Sequence, residues 1–264
     1  MARDKTLIIS NWKMNLNVHD ASLYVHKLEK LVKIHRNVEV VLTPTMLALQ
    51  TLSLQVNYRQ FKLAAQNFYW RDHGAFTGEV SATQLRGIVQ YALVGHSERR
   101  HIFHETDKDT RAKVQAAIRN GIRPILCVGE TASERAVGET RDILHDQLVG
   151  GLANITSEEL PEIVIAYEPV WAISNGSRHD DHHATPQDVA EAVRIIRAQL
   201  KHLFGAKAAE EVQVLYGGSV NADDVGGFLD LKEIDGVLVG GASLDEQAFS
   251  KIVEKAYTRN KKDK

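Results

Sequence analysis

The segment IVIAYEPVWAI, residues 163–173, contains the unit from which the chain is built. Ile163–Ala166 is an unbroken apolar run, and the polar pair Glu168-Pro169 follows it closely. An apolar run without polar alternation is typical of a strand buried on both faces of a parallel sheet. The helical pattern Pro186–Leu203 comes next, with proline at its first position and Thr185 as its N-cap. The segment therefore predicts a strand, a loop and then a helix.

The same unit recurs along the whole chain. Seven further apolar runs each precede a helical pattern, of which the amphipathic segment Ala21–Ile34 is one. Alternation of strands and helices favours parallel strand pairing through right-handed crossovers. Eight units in 264 residues fit a closed (β/α)8 barrel, which typically has about 250 residues. The predicted strands are Leu7–Ile9, Val38–Leu42, Leu63–Ala65, Tyr91–Val94, Ile125–Val128, Ile163–Ala166, Val212–Leu215 and Val237–Val239.

No linker, low-complexity tract or change in composition divides the chain. We therefore predict one α/β domain over residues 1–264, a single (β/α)8 barrel. The basic segment Arg259–Lys264 is predicted to be a solvated tail.

Charge and composition argue against several classes of partner. The net charge of −2 provides no basic field to recruit nucleic acid or a membrane surface. No stretch approaches the about 20 apolar residues that span a bilayer, and Met1–Lys5 does not resemble a signal peptide. The lone Cys127 cannot form an internal disulfide, and we interpret it as a small buried hydrophobe rather than a nucleophile. A cytoplasmic location is expected.

Each apolar run ends in a polar cluster, and in such a barrel these strand ends meet at one mouth, where the chemistry takes place. Glu168 stands beside Pro169, which stiffens the backbone, and the apolar segment Val170–Ile173 follows. A carboxylate removed from water is a stronger base than a solvated one. Glu168 is therefore a candidate general base, and a structural ion pair is the alternative.

Two other strand ends carry candidate electrophiles. His96 precedes a predicted helical turn, Ser97–Arg100, and the positive potential at a helix N-terminus favours a neutral imidazole. Lys13 follows the first strand, with Asn11 on the same face, and a lysine in the mouth can stabilise a developing oxyanion. The alternatives are a capping or packing histidine and a solvated lysine.

Glycine-rich loops follow the last two strands. Gly217-Gly218-Ser219 and Gly240-Gly241 each precede a helical pattern, and free backbone N–H groups there can hold an anion. Barrels of this type commonly bind phosphate between these two loops. The chain has no nucleotide-binding P-loop, no dinucleotide signature and no H-E-x-x-H motif. We therefore predict neither a cofactor nor a metal.

Six motifs together resemble the triosephosphate isomerase family, in order and at the expected spacing over nearly the whole chain. They are Asn11–Asn15, Gly74–Glu79, Gly95–Arg100, Ala166–Ile173, Tyr216–Val220 and Leu238–Ser243. The resemblance implies the TIM barrel fold and the cofactor-free interconversion of dihydroxyacetone phosphate and D-glyceraldehyde 3-phosphate through an enediolate. It also implies a place in glycolysis and gluconeogenesis.

The resemblance assigns roles to the matched residues. Glu168 would move a proton between two carbons while a neutral His96 polarises the carbonyl, a pairing that is established for this family. Lys13 and Asn11 would stabilise the oxyanion, and Glu98 would orient Lys13. The phosphate would be held by backbone N–H groups near Ser174, Ser219, Gly240 and Gly241.

The resemblance further implies a homodimer, in which the loop Gly74–Glu79 enters the neighbouring subunit's active site and brings Thr77 near the partner's catalytic groups. From Pro169 onwards the chain resembles the family's lid, which excludes water.

The lid departs from the family pattern. Where the family reads Ile-Gly-Thr-Gly-Lys, this chain reads Ile173–Ser177, and residues 177–184 form an insertion. The departure puts in doubt the hinge at the end of the lid and its latch to Tyr216. The insertion contains the cluster His179–His183, which fits no metal-ligand template, so we interpret it as a solvated polar loop.

Two other functions compete with this one. The altered lid could make room for a longer substrate, such as a four-carbon ketose phosphate. Alternatively, the chain could be an inactive barrel that only binds sugar phosphates or serves in assembly, although an intact set of Glu168, His96 and Lys13 argues against this reading.

Overall fold

The computed structural model describes residues 5–173 and 183–259, and within them eight parallel strands close into a barrel. Each strand pairs with the next along the chain, and the last pairs with the first. The predicted (β/α)8 barrel is confirmed. Its strands are β1 (Thr6–Asn11), β2 (Val38–Thr43), β3 (Phe61–Ala65), β4 (Tyr91–Val94), β5 (Arg123–Val128), β6 (Val164–Tyr167), β7 (Gln213–Tyr216) and β8 (Gly236–Val239).

Helices connect successive strands around the outside of the barrel. They are α1 (Val18–Leu31), α2 (Met46–Gln55), α3 (Ala82–Leu85), α4 (Ser97–His101), α5 (Asp107–Arg119), α6 (Ala132–Ala136), α7 (Thr140–Leu152), α8 (Pro186–Phe204), α9 (Ala206–Glu211), α10 (Val225–Leu229) and α11 (Glu246–Arg259). Short 3-10 turns cover Leu160–Glu162, Val170–Ala172 and Gly241–Leu244.

The strands lack polar alternation because both of their faces are buried. On β1, Leu7 and Ile9 point into the barrel, while Ile8 belongs to the layer between barrel and helices. Cys127 lies in the inner layer and is 1% exposed, which agrees with its interpretation as a small buried hydrophobe. Bulky side chains fill the barrel as a packed core, so a substrate can reach it only at the mouth.

Helix boundaries followed local capping groups. The N-cap of α8 is Thr185, as predicted, and it forms a capping box with Asp188. In contrast, α1 begins three residues before the predicted Ala21, because the Asn17 side chain accepts a hydrogen bond from the Asp20 N–H. It also ends at Leu31 rather than at Ile34.

The last helix reaches into the predicted tail. Arg259 was predicted to open the solvated tail, but it is the last residue of α11, and residues 260–264 lie outside the described part. Within the described residues, no helix is both long and apolar enough to cross a membrane.

Candidate active site

The carboxyl ends of the strands bring the predicted catalytic residues together at one mouth. Asn11 ends β1 and Lys13 follows it, His96 follows β4, and Glu168 follows β6. A cleft of about 540 Å³ opens beside them, and its walls include Lys13, Glu98 and Gly240. The site faces the side of the barrel on which this fold carries out chemistry.

Lys13 is held at both its backbone and its ammonium group. Its φ of +50° lies in the left-handed region, which costs a non-glycine residue about 1–3 kcal/mol. Its N–H donates to Asn11 Oδ1 at 3.1 Å, and its carbonyl oxygen accepts from Gln66 Nε2 at 2.7 Å. Nζ lies 2.7 Å from Glu98 Oε1, in agreement with the predicted orienting role of Glu98. These contacts direct the ammonium group into the mouth.

His96 is the N-cap of α4, and its ring is oriented by that helix. The ring nitrogen Nδ1 accepts a hydrogen bond from the Glu98 N–H at 3.3 Å. A neutral imidazole with an accepting Nδ1 carries its proton on Nε2. Nε2 lies 3.2 Å from Asn11 Nδ2, whose amide orientation follows from the bond that Oδ1 accepts from Lys13. In the Nε2–H tautomer these two N–H groups stand side by side, where one substrate oxygen could accept from both; in the Nδ1–H tautomer, Nε2 would instead accept a hydrogen bond from the Asn11 amide.

Glu168 is removed from water, with only 2% of its surface exposed. Its Oε2 accepts a hydrogen bond from the Ser97 N–H at the start of α4, at 3.1 Å. Its Oε1 lies 3.3 Å from His96 Nε2 without hydrogen-bond alignment, and it has no hydrogen-bond partner among the described residues. A carboxylate oxygen with a free lone pair beside an imidazole N–H is suited to accept a proton from a bound molecule.

Gly217 provides the space that Glu168 occupies. A Cβ atom at Gly217 would lie 2.8 Å from Glu168 Cγ, closer than side chains tolerate. The sequence singled out this glycine as part of an anion-binding loop, and its packing against the candidate base was not foreseen. A glycine pair directly after a strand is compatible with both an anion-binding loop and a site that makes room for a neighbouring side chain. The sequence alone therefore does not distinguish these two roles of Gly217.

The predicted phosphate-binding residues are only partly assembled. Gly240 lies next to Lys13, since a Cβ atom at Gly240 would be 3.7 Å from Lys13 Cε, and Gly241 begins a 3-10 turn. The Ser219 N–H, in contrast, donates to the Ala172 carbonyl at 2.9 Å, so it is occupied by the start of the lid. Ser174 lies outside the described residues.

Comparison with known proteins assigns the family. The family model described as triosephosphate isomerase matches residues 6–256. The chain belongs to the triosephosphate isomerase family. It is 42% identical over 250 residues to a triosephosphate isomerase of Caldanaerobacter subterraneus subsp. tengcongensis, covering 94% of this chain and 98% of that protein. Similar matches are the triosephosphate isomerases of Trichlorobacter lovleyi, 42% identical over 94% of this chain and 97% of that protein, and of Clostridium beijerinckii, 39% identical over 94% and 98%.

The family assignment confirms the fold and the type of reaction that the motifs predicted. As a triosephosphate isomerase, the chain is an intramolecular aldose–ketose isomerase acting on triose phosphates. The matched span covers all eight strands and every mouth residue discussed above.

A buried carboxylate anchors the start of the lid in this chain. Glu130 is fully buried and accepts hydrogen bonds from Tyr167 Oη and from Trp171 Nε1, the latter at 2.9 Å. The Arg135 guanidinium lies over the Trp171 ring, 4.4 Å from its centroid. Glu130 lies just after the end of β5, and the sequence indicates no role for it, because its partners come from another strand and from the lid.

The predicted latch residue, Tyr216, lies buried beneath the glycine-rich loop. Burial raises the pKa of its hydroxyl, so the group stays protonated. Among the described residues its Oη has no hydrogen-bond partner. The lid residues that the latch would hold lie outside the described part of the chain. So do residues 177–182 of the insertion 177–184, which include His179 and His182 of the predicted cluster, whereas His183 is described and exposed.

Two predicted features lie outside the mouth. Thr77 is exposed on the loop Gly74–Glu79. Cys127 lies behind Glu168, and burial, together with the nearby negative charge of Glu168, raises the pKa of its thiol. Over residues 5–173 and 183–259, no group of three or more His, Cys, Asp or Glu side chains is arranged to hold a metal ion.

Proposed function

We propose that Glu168, His96, Lys13 and Asn11 carry out the isomerisation of dihydroxyacetone phosphate and D-glyceraldehyde 3-phosphate in this chain. The observation that carries the proposal is the distance of 3.3 Å between Glu168 Oε1 and His96 Nε2 at the mouth of the barrel. A base that acts on a carbon and a donor that acts on the oxygen of the neighbouring carbon must lie within a few ångströms of each other.

In the proposed reaction, Glu168 removes a proton from C1 of dihydroxyacetone phosphate. The C–H bonding electrons form a double bond between C1 and C2, and the carbonyl electrons move to the C2 oxygen. His96 Nε2–H, the Asn11 amide and the Lys13 ammonium group stabilise this oxyanion. His96 Nε2–H then gives its proton to the C2 oxygen, and the ring takes the proton of the C1 hydroxyl, so the negative charge moves to the C1 oxygen. The C1 carbonyl forms as Glu168 returns its proton to C2, which gives the aldehyde.

The glycine-rich loops support phosphate binding next to Lys13. Gly240 and Gly241 lie at the start of a 3-10 turn and line the same cavity as His96 and Glu168, so their backbone N–H groups are candidates to hold the phosphate. A role for Ser219 requires the bond from its N–H to Ala172 to open, which would couple phosphate binding to movement of the lid. Closure of the lid would then keep water from the enediolate.

Assay of the purified protein with both triose phosphates tests this proposal. We expect turnover in both directions without added metal or cofactor. A panel that includes four-carbon ketose phosphates tests the competing substrate class, and turnover faster with these than with triose phosphates would reject our assignment. Binding of sugar phosphates without any turnover would favour the inactive barrel.

The hydrogen bond at Nδ1 predicts the tautomer of His96. Because Nδ1 accepts from the Glu98 N–H, the neutral ring should carry its proton on Nε2. Nitrogen-15 NMR of histidine-labelled protein, with His96 assigned by comparison with a His96→Gln variant, measures this directly. A ring protonated on both nitrogens, or on Nδ1 alone, would contradict the proposed donor.

We further propose a homodimer in which the loop Gly74–Glu79 inserts into a second copy. Phe76 is 39% exposed on this loop, and Met14 is 93% exposed at a cleft of about 630 Å³ whose walls include Gly78 and Glu79 of the same loop. Apolar side chains of this size favour burial in an interface. Two-fold symmetry would place each loop in the other copy's cleft.

Dilution tests the dimer. Because each subunit would complete the other's site, specific activity and thermal stability should fall together as the protein is diluted below the dissociation constant. Light scattering and activity measured on the same samples give the two curves. A fully active monomer would rule the dimer out.

We also propose a cytoplasmic location. The only cysteine in the sequence is buried and unpaired, which is common in a reducing compartment. Fractionation of the source cells, with activity measured in each fraction, would test this.

A further inference from the structure

The guanidinium group of Arg100 binds the backbone at the end of two neighbouring strands. Its Nε donates to the Gly95 carbonyl at 2.7 Å, and its Nη2 lies 3.4 Å from the Cys127 carbonyl. Its Nη1 donates to Asp107 Oδ1, at the start of α5, at 2.6 Å. Only 11% of the Arg100 side chain is exposed. A planar fork with several fixed donors is suited to such a three-way contact, and the single ammonium group of a lysine is not.

The carbonyl that Arg100 binds belongs to the peptide bond that leads into His96. Gly95 has a φ of +67°, and a Cβ atom there would lie 2.8 Å from Arg100 Nη2, so the guanidinium fills the space beside this glycine. On the other side of Gly95, its N–H donates to Glu105 Oε1 at 3.2 Å. Charged side chains thus hold both backbone groups of the residue that precedes the proposed electrophile.

Arg100 also belongs to the helix that His96 caps. His96 is the N-cap of α4, Ser97 donates its N–H to Glu168, and Arg100 lies one turn later on the same helix. The hydrogen bond from Arg100 to the Gly95 carbonyl therefore joins the residues on either side of His96 and restrains the backbone between them. Rotation of the Gly95 peptide would move the imidazole and the Ser97 N–H together, relative to Glu168.

We propose that Arg100 is a positioning residue for the reaction. By holding the Gly95 peptide, it sets the direction of His96 Nε2 and of the Ser97 N–H towards Glu168, without contacting the substrate. This inference rests on the proposed role of His96. It distinguishes Arg100 from Arg99 next to it, whose Nε pairs with Glu105 and whose guanidinium lies over the Phe103 ring.

Three variants test the proposal: R100M, R100K and the matched control R119M, which removes a more exposed arginine that pairs with Asp72. R100M should lower kcat by about 10- to 100-fold with KM within about threefold, because a misplaced donor acts on the transition state. R100K, which can reach only one of the three acceptors, should lie between R100M and the unaltered protein. R119M should leave both constants within about twofold.

The His96 ring signals in nitrogen-15 NMR provide a readout that a purely structural role would not move. In R100M they should change in position, whereas in R119M they should not. A folded R100M with unchanged kcat and unchanged His96 signals, differing only in Tm, would overturn the proposal. If R100M does not fold, the same criteria apply to R100K, which keeps a cation and one carbonyl bond.

A His96→Gln variant separates this inference from the proposed function. If it retains full activity, the role of His96 is wrong, whatever Arg100 does. If it is inactive while R100M is fully active, only the positioning role of Arg100 is rejected.

Discussion

Replacement of Glu168 by glutamine is expected to lower kcat by about 10³-fold, with little change in KM. Glutamine keeps the shape of the side chain and can still contact the Ser97 N–H through its carbonyl oxygen. It has no basic lone pair to take a proton from carbon, so the loss falls on the transition state. The measurement is steady-state kinetics with both triose phosphates.

The exposed Glu254 on α11 offers a matched control, and its change to glutamine should leave the kinetics as they are. A Glu168→Gln variant that loses less than tenfold in kcat would remove Glu168 from the role of base. Equal Tm values for the two variants would show that the loss does not come from the fold.

Replacement of Lys13 by methionine is expected to lower kcat/KM by about 10²- to 10³-fold. The Lys13 side chain is 24% exposed, lines the mouth and lies beside Gly240 of the predicted phosphate loop. Loss of its charge should therefore raise KM, because the anionic substrate binds less tightly. It should also lower kcat, because the oxyanion is less stabilised. Methionine has a similar length, which keeps the packing of the side chain against Gly240.

Lys27 on α1, which pairs with Glu246 and is 60% exposed, provides the control for removal of a lysine charge. Its change to methionine should alter kcat/KM by less than about twofold, since exposed ion pairs contribute little. If the Lys13 and Lys27 variants behave alike, Lys13 is a solvated side chain and our account of the oxyanion is wrong.

The barrel could be predicted from the sequence because its strands are buried on both faces. Each strand therefore appears as an apolar run without polar alternation, and helical patterns separate successive runs. The apolar run Ile125–Val128, for example, indicates a buried strand. The observed strand β5 begins only two residues earlier, with Arg123 and Pro124. The mouth follows from the same pattern, since parallel strands all end on one side. Helix boundaries such as that of α1 depend on one side-chain cap, Asn17, which weak periodicity does not reveal.

The parts of the site that escaped prediction arise from contacts across the sheet. Glu130 binds Trp171 and Tyr167 from different segments, and Arg100 reaches back to Gly95 and across to Cys127. Neither pairing has a signature in the local sequence. The hydrogen bond from the Ser219 N–H to the Ala172 carbonyl likewise depends on how the two loops fold against each other. The motif that contains Ser219 indicates only that the loop can bind an anion.

The central claim is that Glu168 carries a proton between two carbons through an enediolate, and isomerisation in deuterium oxide tests it most directly. While the proton resides on the Glu168 carboxyl group it can exchange with solvent. Conversion of D-glyceraldehyde 3-phosphate in deuterium oxide, followed by proton NMR, should therefore place deuterium on C1 of the dihydroxyacetone phosphate formed. A product that contains no deuterium at C1, formed at the full rate by both the unaltered protein and its Glu168→Gln variant, would contradict the account.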